Sequence, residues 1–175
     1  MLLRQGCSDG EIMRIRRTSR LILLDNSNRV LLFKVEDATV NRVNDLNPWL
    51  IAWITPGGGV EEGESHEDAA RRELWEETGI AGIEPGPLVA ICEPVLDWSG
   101  ETIQAHDRFY LIRLPNTIVT LDNMGEFERG AYRDHRWWEI NALRAAQERI
   151  IPSGLVELVA RIIEGDIPVE PLRLD

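Results

Sequence analysis

Gly58-Gly59-Val60-Glu61-Glu62-Gly63-Glu64-Ser65-His66-Glu67-Asp68-Ala69-Ala70-Arg71-Arg72-Glu73-Leu74-Trp75-Glu76-Glu77-Thr78-Gly79-Ile80 is the stretch that decides the reading of this chain. Ser65 followed by Asp68 predicts a capping box at a helix start. Gly79 predicts the left-handed turn that ends the helix. Ala69, Ala70 and Leu74 form a narrow apolar stripe for packing. Glu73, Glu76 and Glu77 then fall at i, i+3 and i+4, with Cβ atoms roughly 5–6 Å apart on one helix face. Carboxylates at that spacing repel, and a shared cation is the usual reason to keep them. Oxygen ligands of this kind suit a hard divalent ion. A single solvated face with one Arg72–Glu76 pair is the alternative reading of the same letters.

Outward from this helix, the chain has the length of one ordinary domain. Its 175 residues are 43% hydrophobic and 28% charged, as in soluble globular proteins. We expect a loosely ordered segment over 1–13 and a single domain over 14–175. The 19 basic and 30 acidic residues leave a formal net charge of −11. That balance argues against nucleic acid and against an anionic membrane surface, both of which need clustered Lys and Arg. A small phosphorylated substrate stays compatible when metal ions neutralise it locally. Cys7 and Cys92 make neither a disulfide framework nor a zinc motif, and are expected as free thiols. With no signal-peptide pattern and no apolar span, the expected placement is cytoplasmic. A homodimer is left open.

Residues 17–25 and 30–35 read as strands around the turn signal Asn26-Ser27-Asn28. A long polar loop covers 36–48, and a strand over 49–55 stops at Pro56. Further strands are expected at 88–96, 109–114 and 133–140. Residues 116–130 are expected as a polar loop. Helices are expected at 141–149, capped by Asn141, and at 153–164, stopped by Gly165. Strands and helices mix without a clean βαβ alternation, which favours a mixed sheet packed between helices.

The fixed positions Gly58, Glu64, Arg72, Glu73, Leu74, Glu76, Glu77, Gly79 and Ile80 fill the pattern G-x5-E-x7-R-E-U-x-E-E-x-G-U, with U aliphatic. This resembles the Nudix box of the Nudix hydrolases. From average residue frequencies a chance match is on the order of one in ten million. The resemblance implies an α/β class Nudix fold, an α/β/α sandwich with a mixed sheet. It also implies a hydrolase that splits a nucleoside diphosphate linked to another moiety, with Mg²⁺ or Mn²⁺ as cofactor. Glu73, Glu76 and Glu77, with the carbonyl of Gly58 or a neighbouring glycine, are the implied metal ligands. Arg72 would orient the catalytic glutamate, and Glu64 would steady the loop–helix junction.

The general base is placed either on a box glutamate or on the late loop, where Glu126 and Glu128 are candidates and Glu128 is preferred. Glu73, Glu76, Arg72 and Glu128 are thus the expected catalytic residues. Trp49, Trp53 or Trp98 could stack on a nucleobase, although core filling is the more ordinary role. Arg20, Arg108 or Arg113 could reach substrate phosphates, with nothing to choose between them. Pro94 lies one or two positions short of the proline that ADP-ribose hydrolases of the family carry after the box. The substrate expectation therefore leans to ADP-ribose or another nucleoside diphosphate sugar. A nucleoside triphosphate, a dinucleoside polyphosphate and a non-catalytic nucleotide sensor are the alternatives.

Overall fold

Asp25 closes the first hairpin. Its Oδ1 accepts the N–H groups of Ser27 and Arg29, each at 2.8 Å. This turn joins β1 (Arg14–Leu24) to β2 (Val30–Asp37), antiparallel, with Leu24 opposite Val30. The computed structural model describes residues 13–43, 50–115 and 117–175. Cys7, Trp49 and nearly all of the expected loose N-terminal segment lie outside the described residues.

The chain continues through β3 (Val40–Arg42), β4 (Leu50–Ile54), β5 (Gly57–Gly59) and α1 (His66–Thr78). Then come β6 (Leu88–Cys92), β7 (Val95–Trp98), β8 (Glu101–Arg113), α2 (Glu126–Ala131) and β9 (Tyr132–Trp138). It finishes with α3 (Ile140–Arg144), β10 (Ile150–Ile151), α4 (Leu155–Ile163) and β11 (Leu172–Leu174). The main sheet runs β10-β4-β2-β1-β8-β6-β11. Its centre is a parallel pair, β1 with β8, in register from Arg14 opposite Ile103 to Leu24 opposite Arg113. The flanking pairs β1–β2, β2–β4 and β6–β8 are antiparallel, so the sheet is mixed.

Successive residues of a strand face opposite sides, and here both sides are covered. Leu21 and Leu23 pack with Ala70 and Leu74 of α1. Ile22 and Leu24 pack with Leu155, Leu158, Val159 and Ile162 of α4. That explains the unbroken run Leu21-Ile22-Leu23-Leu24, in which every residue is buried. The adjacent Trp137 and Trp138 part in the same way, one to each core. Trp53 meets Trp138 edge to face at 5.1 Å, so it fills core. The result is the expected sandwich of a mixed sheet between helices.

The boundaries differ from expectation where the local signal was weak. The expected strand over 88–96 breaks at Glu93-Pro94 into β6 and β7, because proline cannot donate to a ladder. β8 begins at Glu101, well before the expected 109, since its first half is polar. The loop expected over 116–130 contains the start of α2. α3 is capped by Glu139 rather than Asn141 and ends at Arg144. Among the described residues no helix is long and apolar enough to cross a membrane.

Candidate active site and metal centre

The ends of α1 form as the sequence predicts. The Ser65 hydroxyl accepts the N–H of Asp68 at 3.0 Å, and Gly79 adopts φ +73°. With its ends fixed and Ala70 and Leu74 against β1, the helix has one rotational setting. Glu73 and Glu77 are turned into the protein, with only 2% and 6% of their surface exposed. Glu76, between them in sequence, keeps a side chain 29% exposed.

Arg72 is the counter-charge. Its Nη1 donates to Glu73 Oε1 at 2.7 Å and to Glu76 Oε2 at 2.9 Å. Its Nε and Nη2 donate to the two Glu64 oxygens at 3.0 and 3.1 Å, and Nη2 also to the Gly59 carbonyl at 2.7 Å. Glu64 in turn accepts the Glu61 N–H at 2.9 Å, which closes the loop before the helix. Arg72 thus ties three carboxylates and the glycine strand together.

The glycines of β5 allow this closeness. The strand pairs antiparallel with β1, Ser19 opposite Gly58. The neighbouring ladder bonds, Leu21 N–H to Pro56 and Val60 N–H to Arg17, make Ser19–Gly58 a hydrogen-bonded pair by the two-residue repeat. The Gly57 and Gly59 carbonyls face away from β1 and are taken by Arg20 and Arg72. A Cβ on Gly57 would sit 2.1 Å from the Ser19 oxygen, and one on Gly58 would sit 2.3 Å from Glu73 Oε1. Gly57 also donates its N–H to Glu77 Oε2 at 2.6 Å. We expect Gly58→Ala to push the Glu73 carboxylate aside and lower turnover tenfold or more, since misplacement by about 1 Å costs up to about 10²-fold. Steady-state kinetics beside a melting curve checks this, and unchanged turnover would remove Glu73 from the site.

Glu128 arrives from α2. Carboxylate oxygens of Glu73, Glu77 and Glu128 lie within 4.8 Å of one another. Arg129 holds this segment in place by donating to the carbonyls of Leu121, Asp122 and Met124. Glu126, the other late-loop candidate, is exposed and outside the group. Burial pushes the Glu73 carboxyl up to about 7, against the pull of Arg72, with Glu128 and Glu76 adding repulsion. Burial also pushes Glu77 well above the carboxylate range, and the charge of Glu73 adds to it.

The same burial that raises the proton affinity of Glu73 and Glu77 favours a metal cation among the clustered carboxylates. The buried Glu73 Oε2 has no hydrogen-bond partner among the described residues, a state that is costly unless a cation takes it. The donor set therefore fits Mg²⁺ or Mn²⁺, both of which favour oxygen ligands.

The acids open onto a cavity of about 210 Å³. Glu77, Glu128, Gly57 and Gly58 line one part of it, and Val40, Leu50, Pro94, Leu96 and Trp98 another. Arg16, Arg20 and Asp107 also line it. Of the arginines considered from sequence, Arg20 is here, while Arg113 bonds Asn28 instead. Arg16 and Asp107 were not singled out from sequence. The signal was the alternation Arg16-x-Thr18-x-Arg20, polar on the face that continues as Ile22 and Leu24. His66 is buried against Ser19 and Arg17, a satisfied residue away from the cavity.

A NUDIX domain model matches residues 14–158. This chain belongs to the Nudix hydrolase family. Among curated Nudix proteins, it is 38% identical over 76 residues to "Nudix hydrolase 25" of Arabidopsis thaliana, covering 37% of this chain and 43% of that one. It is 49% identical over 47 residues to the RNA pyrophosphohydrolase of Cereibacter sphaeroides (strain ATCC 17029 / ATH 2.4.9), covering 27% and 26%. These matches span less than half the length of either relative. A solved Nudix-type structure, the MutT protein from Methanosarcina mazei Go1, superposes with a TM-score of 0.63 at 17% identity, covering 90% of this chain and 99% of that one. At that identity the likeness establishes the Nudix fold alone.

Proposed function

We propose that this protein is a metal-dependent pyrophosphohydrolase that cleaves a nucleoside diphosphate linked to another moiety, with water attacking at phosphorus. The observation that carries the reading is the group Glu73, Glu77 and Glu128, within 4.8 Å of one another beside a cavity large enough to admit part of a small molecule. Glu73 and Glu77 would hold the divalent ion, with Glu76 on the exposed side of Arg72 and, since the Gly58 carbonyl turns to Ser19, the carbonyl of a neighbouring glycine completing the set, while Glu128 stands beside it. Bound there, Mg²⁺ or Mn²⁺ neutralises phosphate charge and lowers the pKa of water.

The protein's own residues do the remaining work. Arg72 keeps Glu73 and Glu76 at fixed positions. Glu128, the least buried of the clustered acids and the one on the cavity wall from α2, is our assignment for the proton acceptor. The apolar wall around Leu96 and Trp98 would exclude water from the part of the substrate beyond the phosphates.

For the substrate we keep the lean to ADP-ribose or another nucleoside diphosphate sugar, supported by Pro94 and the apolar wall it shares. A screen of nucleotide sugars, nucleoside triphosphates, dinucleoside polyphosphates and 5′-triphosphorylated RNA, with Mg²⁺ and Mn²⁺, tests the reading. The expected result is release of a nucleoside monophosphate from a nucleotide sugar. Folded protein inert on every compound would replace the enzyme with a nucleotide-binding module.

A further inference from the structure

Among the described residues, two guanidinium groups share the cavity with no carboxylate in ion-pair contact. Arg16 and Arg20 lie on the same face of β1, separated by Thr18, and both line the cavity. Among the described residues neither forms an ion pair. Arg16 donates to the Thr18 hydroxyl at 3.2 Å, and Arg20 donates to the Gly57 carbonyl at 2.9 Å. The Arg16 guanidinium lies over the Trp98 ring at 4.2 Å from its centre. Its Nη2 also lies 3.3 Å from where a Cβ on Gly59 would stand, so the missing side chain there leaves room for it.

Arg16 is thus held on three sides in a half-buried place, with its charge only partly offset by Asp107 and Glu73. Burial and the neighbouring Arg20 lower its hold on its proton, to about 10. Burying two like charges together is unfavourable unless an anion arrives between them. Glycine β5 separates this pair from the acids of α1. Gly57 joins Arg20 to Glu77 through its carbonyl and its N–H. A phosphate at the arginines therefore lies next to one at the carboxylates.

We propose that Arg16 and Arg20 grip the second phosphate of the substrate, the one not held at the acidic cluster, and that Trp98 positions the Arg16 fork. This rests on the hydrolase reading for the identity of the ligand, a nucleoside diphosphate group. It makes the arginine pair the reason a diphosphate is preferred over a monophosphate ester. A planar guanidinium fixed by an aromatic face loses little freedom when it donates two bonds to a phosphate.

The probe is α,β-methylene-ADP with Mg²⁺, which binds without being cut, measured by calorimetry. Arg16→Gln and Arg20→Gln are each expected to weaken binding about tenfold or more, the scale of a lost charged hydrogen bond. AMP is expected to discriminate far less among the variants. Trp98→Phe should keep the affinity and Trp98→Leu should lose part of it. Should Arg16→Gln melt early, Arg16→Lys takes its place, with an intermediate loss expected from the missing fork. Affinity of the unaltered protein should also fall between 50 and 500 mM NaCl, as screening reduces the attraction. Variants that bind the probe as tightly as the unaltered protein, or affinity indifferent to salt, would overturn the proposal. Binding is read without turnover, so an inert screen leaves this result standing, and turnover with intact binding in the variants sinks only the arginine assignment.

Discussion

Glu77→Gln melts higher than the unaltered protein at pH 8 without divalent ions, and with them it turns over at least about a hundredfold more slowly. Both effects come from the same burial. Glu77 is almost wholly enclosed and faces Glu73 and Glu128. Glutamine keeps its shape, and its carbonyl can still accept the Gly57 N–H. What disappears is a charge that the protein interior opposes. The loss of activity follows because a residue that only supports a metal ligand already costs about 10–100-fold, and Glu77 would be a ligand itself.

The sign of the pH dependence follows from the raised carboxyls. A glutamate with an ordinary value of 4.5 when unfolded and about 7 when folded keeps its proton longer in the folded state. Folding is then most favoured below 4.5, and stability falls as pH rises toward 7. For Glu73 alone this amounts to about 3 kcal/mol. Glu77 extends the decline to higher pH. Added Mg²⁺ should reverse it in the unaltered protein and do far less in Glu77→Gln. Melting curves from pH 5 to 8, with and without MgCl₂, read all of this. A lower melting point for metal-free Glu77→Gln at pH 8 would contradict the claim that the cluster is mutually repulsive.

Arg72→Ala is expected to be the most destabilising single change at the site, by about 3–5 kcal/mol, the cost of leaving buried charge unpaired. The guanidinium makes five hydrogen bonds, to Glu64, Glu73, Glu76 and Gly59. Its removal strands Glu73 and the Gly59 carbonyl and frees Glu64. Arg72→Lys should recover only part, because an ammonium cannot span the same fork. Urea unfolding at pH 8 measures the loss. The loss should shrink toward pH 5, where Glu73 carries its proton, and Arg72→Ala combined with Glu73→Gln should be milder than the two changes added. Strict additivity would mean that the two side chains do not depend on each other.

Much of the site was legible because it is local. Ser65, Gly79 and the Glu73, Glu76, Glu77 spacing depend on helix geometry within a few residues, and the helix formed between those caps. The hairpin around Asp25 was legible for the same reason. β5, α2 and the polar half of β8 were not. A three-glycine strand has no side-chain pattern, and its pairing exists only because β1 offers an edge. α2 is held by Arg129 bonding back to carbonyls, a contact with no periodic signature.

The sequence by itself determined that three carboxylates and one arginine stand on one side of a capped helix. Only the tertiary structure decided which of them turn inward. Glu76 and Glu77 flank Glu73 around the helix axis, and packing of Ala70 and Leu74 against β1 rotates Glu77 into the interior and Glu76 toward water. Glu128 joins from a segment far along the chain, and the face of β1 that carries Arg16 and Arg20 meets the same cavity, because sheet order brings these arginines to acids that no local spacing relates to them.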